Sequence, residues 1–257
     1  MKPTLFDLEV LARQAGAILR SYYGRSPKVS HKSLVDLVTE ADQRSEAFLL
    51  GEIQRQYPGQ RIIYVESGGV PGSDGQVWYI DPLVGTVNYA HNIPIFAVSI
   101  GYAEKGRMHM GVIYDPMREE CFSAERGLGA ALNGQPIHPA EAADLDHSLL
   151  VTGFPYDIRT NPANNLDHYV HLSLHSQGVR RLGSAALDLC YVAAGRFDGF
   201  WETALNTWDV AAGGLIAGEA GARVTNLRGE TDYLSSPVSI VAANSTVHAL
   251  LLKELQR

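Results

Sequence analysis

Cysteine is scarce: Cys121 and Cys190 are the only two in 257 residues. Two thiols cannot build a disulfide framework, and they suit a reducing compartment. Basic residues are also in deficit, with 21 Lys and Arg against 28 Asp and Glu and a formal net charge of −7. A field of that sign repels nucleic acid and anionic lipid, so neither a nucleic-acid nor a membrane partner is expected. No apolar run approaches the roughly 20 residues of a bilayer span. Asp7 and Glu9 fall where a secretion signal needs an apolar core, so a cytoplasmic location is expected. The nine histidines are scattered without the spacing of a zinc site. Gly127-Leu128-Gly129 has no Lys-Ser/Thr behind it to make a phosphate loop, and Ser67 and Ser184 lack the context of a serine nucleophile.

What is present is a composition able to bury a core, 46% hydrophobic and 19% charged, in one large domain or two packed subdomains. Leu5, Leu8, Ala12, Ala15, Ile18, Leu19 and Tyr22 recur at helical spacing, and Gly24 stops the pattern. A second helix is expected from Thr39, with Asp42 as a capping-box acid and Phe48, Leu49, Ile53 and Tyr57 facing inward, ending at Pro58-Gly59. Strands are expected at Arg61–Val65, Val77–Ile80, Phe96–Glu104, Met108–Tyr114 and Glu120–Ala124, the last three as an antiparallel meander. After a connector at 137–144 the rhythm changes. Strands are expected at Leu149–Thr152, Val179–Leu182, Phe197–Trp201 and Val238–Ala242, and helices at Ser184–Ala194, at Asp209–Ala220 and at the C-terminus. The fold class is therefore α/β, with an α+β first part over 1–145 and an α/β second part over 146–257.

The stretch Trp78-Tyr79-Ile80-Asp81-Pro82-Leu83-Val84-Gly85-Thr86-Val87-Asn88-Tyr89 carries the most chemistry. A buried strand ends in an Asp that can hold a metal, and Gly85 and Thr86 offer helix N-terminal amides to a phosphate. A plain Asp-Pro turn after a core strand fits the same residues. Asp42 and Asp209 likewise suit the dipole at a helix start, Ser184 suits a simple N-cap, and Glu202 suits a solvated strand end.

Taken together, the blocks resemble the inositol monophosphatase family. Asp81-Pro82-Leu83-Val84-Gly85-Thr86-Val87-Asn88-Tyr89 resembles its Asp-Pro-Leu/Ile-Asp-Gly-Thr-x-Asn-Phe/Tyr signature, and Trp208-Asp209-Val210-Ala211-Ala212-Gly213 its Trp-Asp-x-Ala-Ala-Gly signature. Val35–Asp42, Ile62–Gly68, Gly183–Asp188 and Gly195–Gly199 match in order and spacing, over essentially the whole chain. Two positions depart: Val65 stands where the family has the first Glu of a Glu-Glu pair, and Val84 where it has Asp. Both are metal-ligand positions in the family. Glu66 is the second Glu of that pair and, on a strand, should aim away from Val65's face.

The resemblance implies a layered αβαβα sandwich of the inositol monophosphatase and fructose-1,6-bisphosphatase type, a homodimer, and magnesium-dependent hydrolysis of a small phosphorylated polyol, foremost myo-inositol 1-phosphate. It implies metal ligation by Asp81, the Leu83 carbonyl and Asp209, with Val65 and Val84 as degenerate positions and weakened magnesium binding. It assigns Thr86 and Asp42 to the attacking water, and Gly85, Thr86, Gly183, Ser184, Ala185, Glu202 and Asp209 to the substrate. The alternative is a catalytically silent homologue acting as a ligand-binding or protein-interaction module, for which the two valines speak.

Overall fold

The computed structural model describes residues 2–25, 29–31, 37–65, 69–162 and 164–257. Glu66, Ser67, Gly68, Val35 and Asp36 lie outside them. Helix α1 (Leu5–Tyr22) starts at a capping box in which Thr4 and Asp7 exchange bonds, and it buries Leu8, Leu11, Ala12, Ala15 and Leu19. After the short pair β1 (Val29–His31) and β2 (Leu37–Thr39), helix α2 (Glu40–Gln56) opens on a second capping box, Thr39 with Asp42. Leu49, Ile53 and Tyr57 face inward as their spacing predicts.

A seven-stranded sheet follows, made of β3 (Gln60–Tyr64), β4 (Ser73–Val84), β5 (Ala97–Glu104), β6 (Arg107–Asp115), β7 (Glu120–Glu125), β8 (Ala130–Leu132) and β9 (Gln135–Pro136), in that spatial order. The expected meander is present: β5 to β7 pair antiparallel, and β4 joins them. β4 runs longer than expected, through Asp81 and Pro82 to Val84, before the short helix α3 (Thr86–Ala90). Pro82 cannot donate to the ladder, and the register slips there: Asp81 faces Ser99 while Val84 faces Ala97. That irregularity re-aims the strand end at the place where the site lies.

The second sheet contains β10 (Leu149–Thr152), β11 (Gly178–Arg180), β12 (Gly199–Leu205), β13 (Arg223–Thr225) and β14 (Val238–Ala243) in the order β11-β10-β12-β14-β13. It is mixed, with β10 parallel to both neighbours and β14 antiparallel to both of its own. Helices α4 (Leu166–Leu174) and α7 (Ser245–Leu255) cover its outer face, α5 (Ala185–Ala193) and α6 (Thr207–Glu219) lie between the sheets, and α1 and α2 cover the first sheet. The result is the αβαβα layering.

The middle layer explains the small residues of Ala211-Ala212-Gly213. A Cβ on Gly111 of β6 would lie 2.8 Å from the Ala212 carbonyl oxygen, and one on Gly101 of β5 would lie 3.4 Å from the Ala211 methyl. Glycine and alanine let α6 press onto the sheet, which carries the start of α6 to the end of β4. Among the described residues no helix is long and apolar enough to cross a membrane.

Candidate active site

A cleft of about 820 Å³ opens between the two sheets. Asp42, Val65, Asp81, Leu83, Val84, Gly85, Thr86, Gly183, Ser184, Ala185, Glu202 and Asp209 all line it. Every site residue expected from the sequence is therefore brought to one place, except Glu66, which lies outside the described residues.

One wall comes from the end of β4. Asp81 is buried, and its Oδ1 accepts from the Leu83 N–H at 3.0 Å. Burial pushes its carboxyl well above the usual range, and the nearby Asp209, Asp42 and Glu46 push it further. Gly85 follows with φ +96°, and a Cβ there would lie 3.0 Å from the Ile95 carbonyl oxygen and 3.2 Å from that of Gly183. Only glycine suits both the conformation and the approach of the opposite wall. Asn88 fixes that approach, donating from Nδ2 to the Ile95 oxygen at 2.9 Å and to the Leu182 oxygen at 2.8 Å.

Thr86 Oγ1 lies 3.1 Å from Asp42 Oδ1 and 3.2 Å from the Leu83 carbonyl oxygen, either of which can accept its proton. The other Asp42 oxygen, Oδ2, accepts from the Thr39 N–H at 2.8 Å and the Thr39 hydroxyl at 2.5 Å. Asp42 is thus both a helix cap and a hydrogen-bond partner of Thr86. Burial raises its carboxyl to about 6, against the lowering effect of the Thr39 and Thr86 bonds.

The opposite wall carries Asp209 and Glu202. Asp209 sits in the first turn of α6, and its Oδ2 accepts from the Asn206 N–H at 2.7 Å. Burial raises it to about 6, opposed by those Asn206 bonds. Glu202, on β12, is raised well above its ordinary value by burial, then by Asp188 and Asp209. Ser184 occupies the N-cap of α5, yet its hydroxyl makes no capping bond, so the simple N-cap reading is corrected.

The two valines are apolar surface within this acidic setting. Val84 is 5% exposed and belongs to a packed apolar cluster with Ala97 and Leu187, and half-buried Val65 lines the cleft beside Asp81. The oxygen groups that could hold a metal here are Asp81 and the Leu83 carbonyl on this wall and Asp209 on the other. Among the described residues no three His, Cys, Asp or Glu side chains form a group able to hold a metal ion. Arg181, Asp188, Phe154, Tyr156 and Trp208, which are not among the site residues expected from the sequence, line the cleft too. Phe154 and Tyr156 follow β10, Arg181 and Asp188 flank the start of α5, and Trp208 opens α6, so their convergence depends on tertiary packing that no local pattern displays.

This arrangement has known counterparts. Residues 2–257 match the model of the inositol monophosphatase family. The chain is 42% identical to "Nus factor SuhB" of Pseudomonas aeruginosa, covering all of this chain and 97% of that protein. It is 41% identical to "Inositol-1-monophosphatase" of Mesorhizobium japonicum over 96% of this chain and 93% of that one. The structure of an inositol monophosphatase from Anabaena superimposes with a TM-score of 0.88 at 43% identity, covering 96% of this chain and 93% of its own. The chain belongs to the inositol monophosphatase family.

Proposed function

We propose that the cleft takes a small phosphorylated polyol, foremost myo-inositol 1-phosphate, and that hydrolysis of it is strongly attenuated by Val65 and Val84. The observation that carries the reading is the convergence of the Asp42–Thr86 pair, Asp81, Asp209, Glu202 and Gly183–Ala185 on one cleft. In this reading the subdomains 1–145 and 146–257 each supply one wall.

Magnesium, which the family generally uses, supplies charge for the phosphate and polarises the attacking water when bound. It requires near-octahedral oxygen ligands and often keeps several waters. Asp81, Asp209 and the Leu83 carbonyl are the donors present, and valine offers none. These residues do not fit two resident ions, and two close dications facing two carboxylates would repel one another. No step is therefore routed through such a pair.

The chain's own groups still have assignable parts. Thr86 Oγ1 and Asp42 Oδ1 can hold one water between them, and above about pH 6 Asp42 is ionised and can accept its proton. Glu202 accepts a hydrogen bond from a substrate hydroxyl, and the Gly183–Ala185 backbone walls the ring. With the phosphate charge poorly matched, such a site binds better than it hydrolyses.

The test is restoration. In magnesium, Val65→Glu with Val84→Asp should raise phosphate release from myo-inositol 1-phosphate at least about 10²–10³-fold, the usual effect of one well-placed electrostatic stabiliser. Rapid turnover by the unaltered chain would refute the attenuation. A second reading, a silent homologue that binds a ligand or a protein, is favoured by the same valines. It takes over if the restored variant folds, binds magnesium and stays inert.

A further inference from the structure

Next to Glu202 the cleft holds a carboxyl that neither the fold nor the reading above employs. Asp188 lies in the first turn of α5, is 1% exposed and lines the cleft. Its Oδ1 is buried without a hydrogen-bond partner. Four residues earlier the Ser184 hydroxyl is in the same condition, 2% exposed and unpartnered. Positions i and i+4 share a helix face, and the Asp188 N–H donates to the Ser184 carbonyl oxygen at 2.9 Å, which fixes the two relative to one another. Folds rarely leave two such oxygens orphaned side by side, because each forfeits its hydration without return.

Glu202 closes the third side. Its carboxyl lies against Gly153, where a Cβ would fall 2.2 Å from Oε1 and 2.3 Å from Oε2. Burial pushes the Asp188 and Glu202 carboxyls well up, the nearby Asp188 and Asp209 push Glu202 further, and Arg181 opposes both shifts. Two oxygen-rich acids side by side, with a hydroxyl next to them, match a ligand that presents several O–H groups on a rigid frame. A single isolated hydroxyl would satisfy only one acid.

We propose that Asp188, assisted by the Ser184 hydroxyl, is a specificity-determining residue that holds a second substrate hydroxyl beside the one taken by Glu202. The cleft then selects phosphate esters of rings with hydroxyls on adjacent carbons over esters of bare rings. This rests on the polyol phosphate reading above.

Calorimetric titration of the full chain with myo-inositol 1-phosphate, cyclohexyl phosphate and inorganic phosphate tests it, beside Asp188→Leu and Asp188→Asn. Losing a hydrogen bond to a buried carboxyl should weaken inositol phosphate binding about 10–100-fold in Asp188→Leu. Cyclohexyl phosphate and inorganic phosphate should bind as before, and the melting temperature should not fall, since an orphaned buried carboxyl is replaced by an apolar group of similar size. Asp188→Asn should show a smaller loss in the same direction, and it decides the matter if the leucine variant fails to fold. A lower melting temperature with equal weakening of all three ligands would make Asp188 merely structural and overturn the inference. An unchanged preference between the two esters in both variants would overturn it while leaving the phosphate reading intact. If none of the three binds the unaltered chain, the phosphate reading falls and this inference with it.

Discussion

The two walls of the cleft are unequally equipped. On the wall built by the end of β4, Asp81 stands with Val65 and Val84, and among the described residues the only other carboxyl lining the cleft on that side is Asp42, tied to Thr39 and Thr86. On the wall built by α5, β12 and α6, three carboxyls line the cleft, those of Asp188, Glu202 and Asp209. Under the proposed function, holding the hydroxyls of a ligand and activating a water would draw largely on different walls and so be separable. On that proposal, a change confined to the β4 wall would quench the chemistry while leaving the carboxyls opposite it in place.

The comparison can be broken most sharply at Thr86. On the Val65→Glu, Val84→Asp background, Thr86→Ala removes the hydroxyl bonded to Asp42. Phosphate release should fall by about 10²–10⁴, the range for a positioned proton-transfer partner. If release is unchanged, the Asp42–Thr86 pair is only a helix-capping device.

The opposite wall is probed by Gly153→Ala. The added methyl would collide with the Glu202 carboxyl. Titration should show inositol phosphate binding weakened by about tenfold, near the worth of one charged hydrogen bond. Inorganic phosphate should bind as before if the two walls act separately.

A smaller effect is expected from Val84→Asp alone. The new carboxylate would enter a packed apolar cluster near Asp81, so melting without magnesium should drop by a few degrees, equivalent to roughly 1–3 kcal/mol. Millimolar magnesium should recover part of the loss through linkage, whereas the unaltered chain should melt at nearly the same temperature with or without the ion.

The smallest effect is a slope with pH. Asp42 and Asp209 are raised from 3.8 to about 6, so between those values the folded chain holds protons that the unfolded chain has released. Their contribution to stability is therefore greatest near pH 4 and falls as pH rises through about 6. Asp7 and Glu104 are lowered and act in the opposite sense. The comparison with Asp209→Asn isolates the site, and that variant should lose less stability across the window in thermal melts.

Much of the fold is legible in the sequence. The capping box of Thr39 with Asp42 is a local pattern, and α2 begins where it dictates, whereas the box of Thr4 with Asp7 emerges only in the structure. The meander was legible because Lys105-Gly106 and Asp115-Pro116 are strong turn signals between alternating strands. Short pieces escaped. β8, β9 and β13 span two or three residues each and rely on partners rather than on their own pattern. Helix α4 is hidden in the sequence because its exposed Leu166, Val170 and Leu174 blur the amphipathic contrast. At the site, the resemblance to the inositol monophosphatase family points to Asp42, Asp81, Thr86 and Asp209. Asp188 sat in plain view within Gly183–Asp188, but its missing partner is a property of packing and is invisible in sequence.

The central claim is that the deficit lies in the β4 wall and not in the polyol pocket. It is tested most directly by measuring myo-inositol 1-phosphate affinity in a chelator and in millimolar magnesium, for the unaltered chain and for Val65→Glu with Val84→Asp. The account predicts that the unaltered chain binds the ester with an affinity nearly indifferent to magnesium, while the double variant tightens markedly when the ion is added. A strong magnesium dependence in the unaltered chain, or no binding under either condition, would contradict it.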